Sequence, residues 1–393
     1  MIAGIDAAAM LARIARWCAI NTGTGNLSGL GVLSKELAAA LALLPGSVRC
    51  VDGASTPYID VEGREMERQF GQHLLLSVRP GANRRVLLTG HMDTVFPVDH
   101  PFQTLRWLDA GTLNGPGVAD MKGGIAVMLA ALAAFETTPR ASQIGYDVLL
   151  NSDEEVGSPS SAPLIAELAA GKLAALTFEP AALPDGTLAG ERAGSGNYCV
   201  IIHGKSAHAG RNPQDGRNAI VAAAALVLAL KALEGAGISV NPARIDGGSA
   251  NNVVPDLAVV RFNIRPQTSA DADDFERELE HLIATIAADH DVTIHRHGGL
   301  SRPPKPMDPP AQRLFELVRD CGAALGQDIR WQRSGGVCDG NNIAACGVPV
   351  VDTLGVRGGA IHSPDEYLIV ASLAERAALS ALILSRLSDG AMS

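Results

Sequence analysis

Apolar and polar positions in the first half of the chain form two alternating patterns. Short apolar runs typical of buried strands are separated by longer stretches with the periodicity of amphipathic helices. Strands are predicted at 86–89, 146–150 and 174–178, and helices at 10–19, 28–44, 124–135 and 161–170. Strands that alternate with helices of this length indicate an α/β fold with a largely parallel sheet covered on both faces.

The pattern changes near residue 194, where strands begin to follow one another directly. The predicted elements are a strand at 198–203, a helix at 218–233, strands at 237–245 and 257–264, a helix at 272–288 and a strand at 292–297. This β-α-β-β-α-β order is typical of a ferredoxin-like unit. A proline-rich stretch at 301–310 then predicts a stiff linker. The α/β alternation resumes after it, with helices at 311–325 and 370–387 and a strand at 348–352.

This order of elements predicts a small domain inserted into a larger one. Residues 1–193 and 304–393 form the larger domain, and residues 194–303 form the insertion. The helical run 219–230 in the insertion has no polar face, so its outer side stays in water unless something packs on it. We therefore predict a homodimer formed through the inserted domain.

Composition and charge exclude several partners. With 47% apolar and 19% charged residues, the chain is typical of a globular protein, and its 393 residues agree with two domains. The net charge of −10, without any basic stripe, argues against nucleic acid. The run 219–230 is shorter than the roughly 20 residues that a membrane span needs. The six cysteines form no C-x-x-C pair and no secretory signal is evident, so we expect reduced thiols and a cytoplasmic location.

Five segments carry candidate chemistry, and most of them follow a strand-like run. They contain His91 and Asp93, Asp120, the acidic run 153–155, Glu179 and, late in the chain, His362. Imidazole and carboxylate are the ligands that Zn²⁺ and similar divalent ions take in catalytic sites. In open α/β sheets, ligands bind at the carboxyl ends of the strands. The sequence therefore predicts a metal centre at that edge which activates water.

Several of these segments also have an ordinary structural interpretation. His91 and Asp93 point the same way on an extended segment, so Asp93 can orient His91, and a solvated turn is the alternative. Asp120 precedes a helix, and taken alone it favours a helix cap. Three consecutive acids usually form a solvated charge run. Adjacent Glu154 and Glu155 nevertheless point in different directions, so one can bind a metal while the other faces water.

Glu179 and the remaining histidines complete the candidate set. An acid directly after a buried strand is costly unless a cation pairs with it, which favours a ligand role for Glu179. His362 lies beside glycines that let the backbone approach a metal or a substrate, although a lone histidine is more often structural. His208 lies in the inserted domain. We interpret His100 and His203 as packing or surface residues.

Taken together, five segments resemble the M20 metallopeptidases, a family of carboxypeptidases, desuccinylases, deacetylases and aminoacylases. The segments are 90–95, 117–124, 153–158, 179–180 and 206–210. Residues 335–341 and 354–367 look most like the glutamate carboxypeptidase (carboxypeptidase G2) branch, although Cys338 and Arg357 depart from its pattern. The resemblance implies an α/β, phosphorylase/hydrolase-like di-zinc catalytic domain with an inserted ferredoxin-like domain that serves as lid and dimer interface.

The resemblance also implies two divalent metal ions, most simply zinc, with cobalt or manganese as alternatives. Asp120 would bridge the two ions. The remaining ligands would be His91 and Glu179 for one ion, and Glu155 and His362 for the other. The peptide bond after Asp120 is expected to be cis.

The same resemblance implies which residues act on the substrate. Glu154 would be the general base, and Asp93 would orient the neighbouring histidine ligand. His208 resembles the residue that reaches the partner subunit's site and polarises the scissile carbonyl. Asn251 and Arg265 would bind substrate, and the Arg265 guanidinium suits a carboxylate because it can make a bidentate contact.

These observations predict hydrolysis of an amide bond by metal-activated water, with release of a glutamate-like C-terminal amino acid from an acyl or peptidyl group. The expected substrate is a small molecule that bears a carboxylate. An N-acyl-amino-acid deacylase is the alternative enzyme. A non-catalytic binding protein is a third interpretation, since the β-α-β-β-α-β unit also occurs in RNA-binding domains. This insertion lacks the aromatic sheet residues and basic surface that RNA stacking needs.

Overall fold

The computed structural model describes residues 2–392, which form nine α-helices and eighteen strands. The helices are α1 (Ala7–Cys18), α2 (Leu27–Leu41), α3 (Lys122–Glu136), α4 (Ala162–Ala169), α5 (Ala219–Ala232), α6 (Ser269–His290), α7 (Pro309–Ala324), α8 (Asp339–Ala345) and α9 (Ser372–Ser388). The strands are β1 (Ser47–Val51), β2 (Thr56–Ile59), β3 (Glu65–Arg68), β4 (His73–Val78), β5 (Arg85–His91), β6 (Arg106–Trp107), β7 (Thr112–Asn114), β8 (Gly145–Asn151), β9 (Ala174–Thr177), β10 (Leu188–Arg192), β11 (Ser195–His203), β12 (Ile238–Gly247), β13 (Leu257–Pro266), β14 (Thr293–Arg302), β15 (Trp331–Ser334), β16 (Val350–Val351), β17 (Gly358–Gly359) and β18 (Tyr367–Ile369). All six cysteines are free thiols, as expected.

A six-stranded sheet lies at the centre of the larger domain, with the strand order β1-β4-β8-β5-β9-β16. The strands β8, β5, β9 and β16 are parallel to one another. At the other edge, β1 and β4 are antiparallel to their neighbours. The prediction of a largely parallel sheet holds for four strands, and the antiparallel edge was not predicted.

Helices cover both faces of this sheet. On one face, Leu76, Leu88 and Val148 belong to the main hydrophobic core together with residues of α1, α2, α3 and α9. On the other face, Leu87 and Leu149 pack with residues of α4 and α8. Successive strand residues point to opposite faces, so Leu87 and Leu88 serve different cores. Because both faces are covered, polar groups of these strands reach solvent mainly at the strand ends.

The segment from β11 to β14 forms a second sheet, with the strand order β12-β13-β11-β14 and antiparallel pairing throughout. Its elements follow the expected β-α-β-β-α-β order. Val200, Val260 and Phe262 point to one face, where they pack with Leu226 of α5 and Leu279 of α6. The division of the chain into a larger and an inserted domain, with its limits, stays a prediction, and the two names denote the residue ranges given above.

The β2–β3 hairpin ties the second sheet to the larger domain. It lies on the face opposite α5 and α6, where Ile59 packs on Ile201 and Val259. Arg261 of the sheet strengthens the contact, because its Nη2 donates to the backbone oxygens of Ile59 and Asp60 at 3.1 and 2.7 Å. The hairpin therefore contacts the second sheet at a place that is distant in sequence from the two points where the chain enters and leaves that sheet.

The proline-rich stretch 301–310 does not form the stiff linker of its own that was predicted, because both of its ends belong to regular elements. Arg302 is the last residue of β14, and Pro309 already begins α7. Arg302 and Lys305 are 5% and 3% exposed, and the backbone of Lys305 is hydrogen-bonded to that of Arg192. The stretch is anchored because its charged side chains pair with buried carboxylates, an interaction that composition cannot reveal.

Helix α5 has one buried and one exposed apolar side, as its sequence predicted. Ala222, Leu226 and Leu230 are fully buried, while Val221 and Leu228 are 50% and 73% exposed. A homodimer through this surface stays a prediction. Neither α5 nor any other helix of residues 2–392 combines the length and the apolarity that a membrane span requires.

A third, small sheet joins two loops that carry candidate ligands. Its strand order is β17-β18-β7-β6, and β18 is antiparallel to β7 with Tyr367 opposite Asn114. The loop after β7 leads to Asp120, and the turn between β17 and β18 contains His362. This sheet therefore brings two distant segments of the chain to the same place.

Candidate functional site

The carboxyl ends of three neighbouring parallel strands carry the first predicted site residues. The strands are β8, β5 and β9, in that spatial order. His91 ends β5, Glu154 and Glu155 follow β8, and Glu179 follows β9. Because the carboxyl ends of parallel strands meet at one edge of a sheet, these side chains converge although they are distant in sequence.

His91, Asp120 and Glu179 form one group of candidate metal ligands. Nε2 of His91 lies 3.0 Å from Oδ1 of Asp120 and 3.7 Å from Oε2 of Glu179. All three residues are buried, and their ligand atoms lie within 4.8 Å of one another. Asp120 is not a helix cap, because the N-cap of α3 is Met121 and no side chain caps that helix.

Asp120, Glu155 and His362 form the second group. Nε2 of His362 lies 3.2 Å from Oδ2 of Asp120 and 3.1 Å from Oε2 of Glu155. The two carboxylate oxygens of Asp120 thus face different groups, and this residue is common to both. The peptide bond between Asp120 and Met121 is cis, which confirms the sequence-based expectation.

Asp93 orients both His91 and the acidic loop after β8. Nδ1 of His91 lies 2.9 Å from the backbone oxygen of Asp93 and 3.4 Å from its Oδ1, so this nitrogen faces two acceptors and carries a proton, while Nε2 points toward Asp120 and Glu179. The Asp93 carboxylate accepts the amide N–H groups of Glu154 and Glu155, each at 3.2 Å. It also accepts the Thr24 hydroxyl at 2.7 Å. Asp93 is fully buried, so the alternative of a solvated turn is wrong.

Glu154 does not belong to either ligand group. It is 7% exposed, and its Oε1 lies 2.7 Å from Nη2 of Arg302. The same nitrogen donates to the backbone oxygen of Glu154 at 2.9 Å and to Oγ of Ser158 at 3.0 Å. Burial raises the pKa of Glu154 well above its ordinary value, and the positive charge of Arg302 acts in the opposite direction. Sequence reasoning missed Arg302, because it lies in the proline-rich stretch 301–310 and no local signal marks it.

A buried polar network lies beneath the loop that carries the two glutamates. The Asp153 carboxylate accepts the amide N–H of Ser160 at 2.6 Å, and Nε2 of His73 lies 3.1 Å from the Ser160 hydroxyl. Asp339 accepts a hydrogen bond from Nδ2 of Asn151 at 2.7 Å. Asp153 is fully buried, so this acidic run is not a solvated charge run. The network fixes the loop from below.

A cavity of about 850 Å³ opens over both ligand groups. Its walls combine the acidic cluster with arginines and with small or apolar residues. The lining includes Asp120, Glu154, Glu155, Glu179, His362, Arg192, Arg265, Arg302, Pro180, Ala181, Cys338, Gly358, Ile361 and Tyr367. Its volume suits a ligand of small-molecule size.

The three predicted substrate-contacting residues of the inserted domain lie in different places. Arg265 lines the cavity, and its Nε donates to Oδ1 of Asn263 at 2.9 Å. His208 and Asn251 are exposed and do not line the cavity. Nδ1 of His208 accepts the amide N–H of Gly210 at 3.1 Å, which leaves Nε2 toward solvent. The structure thus brings Arg265, but not the other two, to the cavity of the same chain.

The donor set fits divalent cations. Burial raises the pKa of Glu155 to about 7 and also raises that of Glu179. Hydrogen bonds to Asp120 and Glu155 raise the pKa of His362 to about 11. Although burial favours a neutral ring, Glu179 and the hydrogen bond to Asp120 raise the pKa of His91 well above its ordinary value. Buried carboxylates crowd together in both groups without full compensation by positive charge, and a divalent ion at each group would supply that charge.

Comparison with known proteins identifies the family. The model of Peptidase family M20/M25/M40 matches residues 87–386. The chain belongs to this family. Carboxypeptidase G2 from Pseudomonas sp. (strain RS-16) is 28% identical over 383 residues, which cover 94% of this chain and 87% of the relative. Succinyl-diaminopimelate desuccinylase from Xanthomonas oryzae pv. oryzae (strain PXO99A) is 31% identical over 322 residues, which cover 77% of this chain and 83% of the relative.

Solved structures share the fold. A tripeptidase from Staphylococcus aureus has a TM-score of 0.73 at 22% identity, over 98% of this chain and 99% of its own. An M20 family metallo-carboxypeptidase from Sulfolobus solfataricus has a TM-score of 0.72 at 13% identity, over 97% and 99%. Family membership makes this protein a metal-dependent hydrolase with a mixed α/β fold, which confirms the enzyme prediction. The interpretation as a non-catalytic binding protein is therefore wrong.

Proposed function

We propose that this protein hydrolyses an amide bond and releases a glutamate-like C-terminal amino acid from an acyl or peptidyl group. The observation that carries the proposal is the convergence of two histidine–carboxylate groups on Asp120, beside the buried Glu154 and within the cavity that Arg265 lines. The similarity to carboxypeptidase G2 over 94% of the chain supports this type of reaction.

Two divalent ions, most simply zinc, would occupy the two ligand groups. His91 and Glu179 would hold one ion, Glu155 and His362 the other, and Asp120 would bridge them. When bound, the ions supply Lewis acidity that lowers the pKa of water and polarises a carbonyl group. Cobalt and manganese suit the same nitrogen and oxygen donors.

Glu154 is the proposed general base. As a carboxylate it accepts a proton from the attacking water and then returns this proton to the nitrogen of the leaving amine. Arg302 holds the side chain in place at 2.7 Å and favours its ionised form, against the effect of burial. Asp93 supports the base from the backbone, because its carboxylate accepts the Glu154 amide N–H.

Arg265 is the proposed anchor for the carboxylate of the released amino acid. Its one hydrogen bond within residues 2–392 runs from Nε to Asn263, so the two terminal nitrogens are available for a ligand. A half-buried guanidinium without a carboxylate partner favours an anion that binds it in a bidentate manner.

His208 and Asn251 would act in the cavity of a partner subunit. Both are exposed and lie outside the cavity of their own chain. A homodimer through α5 would make them available to the second copy, where His208 would donate a hydrogen bond to the oxygen of the scissile carbonyl. The inserted domain would then serve as lid and as dimer interface.

An N-acyl-amino-acid deacylase is the second candidate. The 31% identity to a succinyl-diaminopimelate desuccinylase favours it, and such an enzyme would use the same ligand groups and the same base. The two candidates differ in which side of the amide the cavity selects. One requires the carboxylate of the leaving amino acid at Arg265, and the other requires a particular acyl group.

Metal analysis combined with a substrate panel tests the proposal. We expect about two divalent ions per chain, loss of hydrolysis after chelation and its return with zinc, cobalt or manganese. The panel compares N-acyl-glutamates with N-acetyl amino acids and N-succinyl-diamino acids, and we expect the N-acyl-glutamates to be cleaved fastest. Activity that is indifferent to chelators contradicts the metal centre. Faster cleavage of the acetyl or succinyl substrates contradicts the carboxypeptidase assignment and favours the deacylase.

A further inference from the structure

A buried carboxylate that the proposed mechanism does not use lies behind the ligand groups. Glu366 is 1% exposed. Its carboxylate accepts three backbone N–H groups, from Gly117 at 3.1 Å, Ala119 at 2.9 Å and Asp120 at 3.0 Å. A buried N–H group without an acceptor is costly, so these three bonds favour the observed path of the loop backbone. Glu366 therefore fixes the loop 115–120, which ends at the ligand shared by both groups.

A second set of hydrogen bonds links the segment before Asp120 to the turn that contains Glu366. Here the side chain belongs to the first segment and the backbone acceptors belong to the second. Asn114 ends β7 and is 3% exposed. Its Nδ2 donates to the backbone oxygens of Pro364 at 3.0 Å and Glu366 at 2.7 Å. Both acceptors belong to the turn that contains His362. The loop of Asp120 and the turn of His362 are thus tied together by side chains from each of them.

One of the two tied segments has a backbone conformation that needs support. In the turn between β17 and β18, Ala360 and His362 have φ values of 52° and 62°. Left-handed φ values are unfavourable for L residues other than glycine, and they persist where the surrounding structure holds them. The bonds of Glu366 and Asn114 supply this support, because they leave neither segment free to relax alone.

We propose that Glu366 is a positioning residue that holds Asp120 and His362 at metal-binding distance. The inference rests on the proposed metal centre, because it gives Glu366 a role in arranging ligands and none in contacting substrate. Oδ2 of Asp120 lies 3.2 Å from Nε2 of His362, and this proximity depends on the two tied segments. Without the Glu366 carboxylate, the loop before Asp120 loses three bonds and the ligand oxygens lose their fixed placement.

The substitution Glu366→Gln tests the proposal, because it keeps the shape of the side chain but replaces one acceptor oxygen with an NH₂ group that faces N–H donors. The measurement equilibrates the zinc-loaded, full-length protein with a chromogenic chelator and gives the zinc dissociation constant. Loss of a residue that orients metal ligands typically weakens metal binding 10- to 100-fold, and we expect a loss of about this size.

Asp147→Asn is the matched control. Asp147 is also a buried carboxylate, at 2% exposure, but it pairs with Arg85 and Lys172 near the amino end of β8, away from the ligand groups. We expect this variant to have a lower unfolding temperature and an unchanged zinc dissociation constant. A purely structural role for Glu366 predicts the same result for both variants.

A folded Glu366→Gln variant with wild-type zinc affinity overturns the inference and leaves the proposed function intact. A wild-type protein that binds no zinc, cobalt or manganese overturns the proposed function itself. If Glu366→Gln does not fold, Glu366→Asp keeps the carboxylate but shortens the side chain, so that it no longer reaches all three backbone N–H groups. We then expect zinc binding to weaken at least several-fold, and wild-type affinity in that variant overturns the inference.

Discussion

The two domains of this protein present their candidate functional residues in opposite ways. In the larger domain, His91, Asp120 and Glu179 are buried and their ligand atoms lie within 4.8 Å of one another. In the inserted domain, His208 and Asn251 are exposed on loops and contact none of these residues. The first arrangement brings its residues together within one chain, and the second leaves His208 and Asn251 outside the cavity of their own chain.

The difference has a physical origin in the two sheets. The parallel strands β8, β5 and β9 end at one edge of the sheet. Residues that directly follow these strands therefore lie close together, independently of the conformation of the loops that come after them. The inserted sheet is antiparallel, and its helices and the β2–β3 hairpin cover its two faces. Its polar loops therefore point away from its own core, while Arg265 on β13 and Arg302 at the end of β14 line the cavity.

The largest effect is expected for Glu154→Gln. The amide cannot accept the proton of the attacking water, so kcat should fall by about 10²- to 10⁴-fold. Metal content should stay at the wild-type level, because Glu154 belongs to neither ligand group. Glu155→Gln is the neighbouring control and should lose metal, since it removes a ligand. Steady-state kinetics with metal analysis measures both, and equal metal loss in the two variants would contradict the separate roles.

A complementation experiment tests whether the second domain completes the site of a partner. His208→Ala should lower kcat by about 10²- to 10³-fold, as loss of a group that stabilises a developing oxyanion does. Mixing it with Glu154→Gln should restore activity after subunit exchange, to about a quarter of wild type if the symmetric dimer re-forms at random. The mixed dimer then has one cavity with both intact residues. If the mixture stays inactive although subunits exchange, His208 acts in its own chain or not at all.

Arg265→Ala tests the predicted substrate contact that the inserted domain brings to the cavity of its own chain. Hydrogen bonds to a charged group are worth about 1.5–3 kcal/mol, so KM for N-acyl-glutamates should rise by about 10- to 100-fold with little change in kcat. Arg333 is the matched control, because it also lines the cavity but pairs with Glu191 at 3.3 Å and is mostly exposed. Arg333→Ala should leave KM within about twofold of wild type. An unchanged KM in Arg265→Ala places the anchor elsewhere.

Sequence reasoning found the edge of the parallel sheet because its signal is local. The strand predicted at 86–89 is β5, and the strand predicted at 146–150 is β8. Each contains a short apolar run, 86–88 in the first and 148–150 in the second, that stops at polar residues, and such runs can be recognised without information from the rest of the chain. The predicted helices differ from the observed ones by a few residues at their ends, where capping and fraying decide the boundary.

The parts that sequence reasoning missed depend on distant partners. The strands β6, β7, β17 and β18 have only two or three residues each, too few to show a period of two. Arg302 lies in a proline-rich stretch whose composition indicates a linker, yet its role comes from Glu154 in the other domain. Glu366 reads as one acid of a polar turn, and its burial follows from the loop 115–120 that folds over it.

The smallest effect is expected for the buried polar network beneath the acidic loop 153–155, which lies in the larger domain. It concerns the stability of the fold and its dependence on pH. Burial lowers the pKa of His73, although the charges of Asp339 and Asp93 oppose this shift. The folded chain thus keeps the ring neutral at a pH where the unfolded chain, with an ordinary pKa of about 6.5, already binds a proton. Its contribution to stability is therefore full above pH 6.5 and is lost as the pH falls toward the lower, folded-state pKa.

His73→Gln removes this titration and keeps a hydrogen-bonding side chain. Between pH 7.5 and 5.5, the free energy of unfolding should fall less in the variant than in wild type, by at most about 1.4 kcal/mol for each tenfold change in proton affinity. Urea denaturation in the presence of a chelator measures it. The exposed His203 offers the control His203→Gln, which should follow wild type. Parallel pH dependences for wild type and His73→Gln would mean that Asp339 and Asp93 offset burial in full, and that this network, unlike the ligand groups, tolerates a charge.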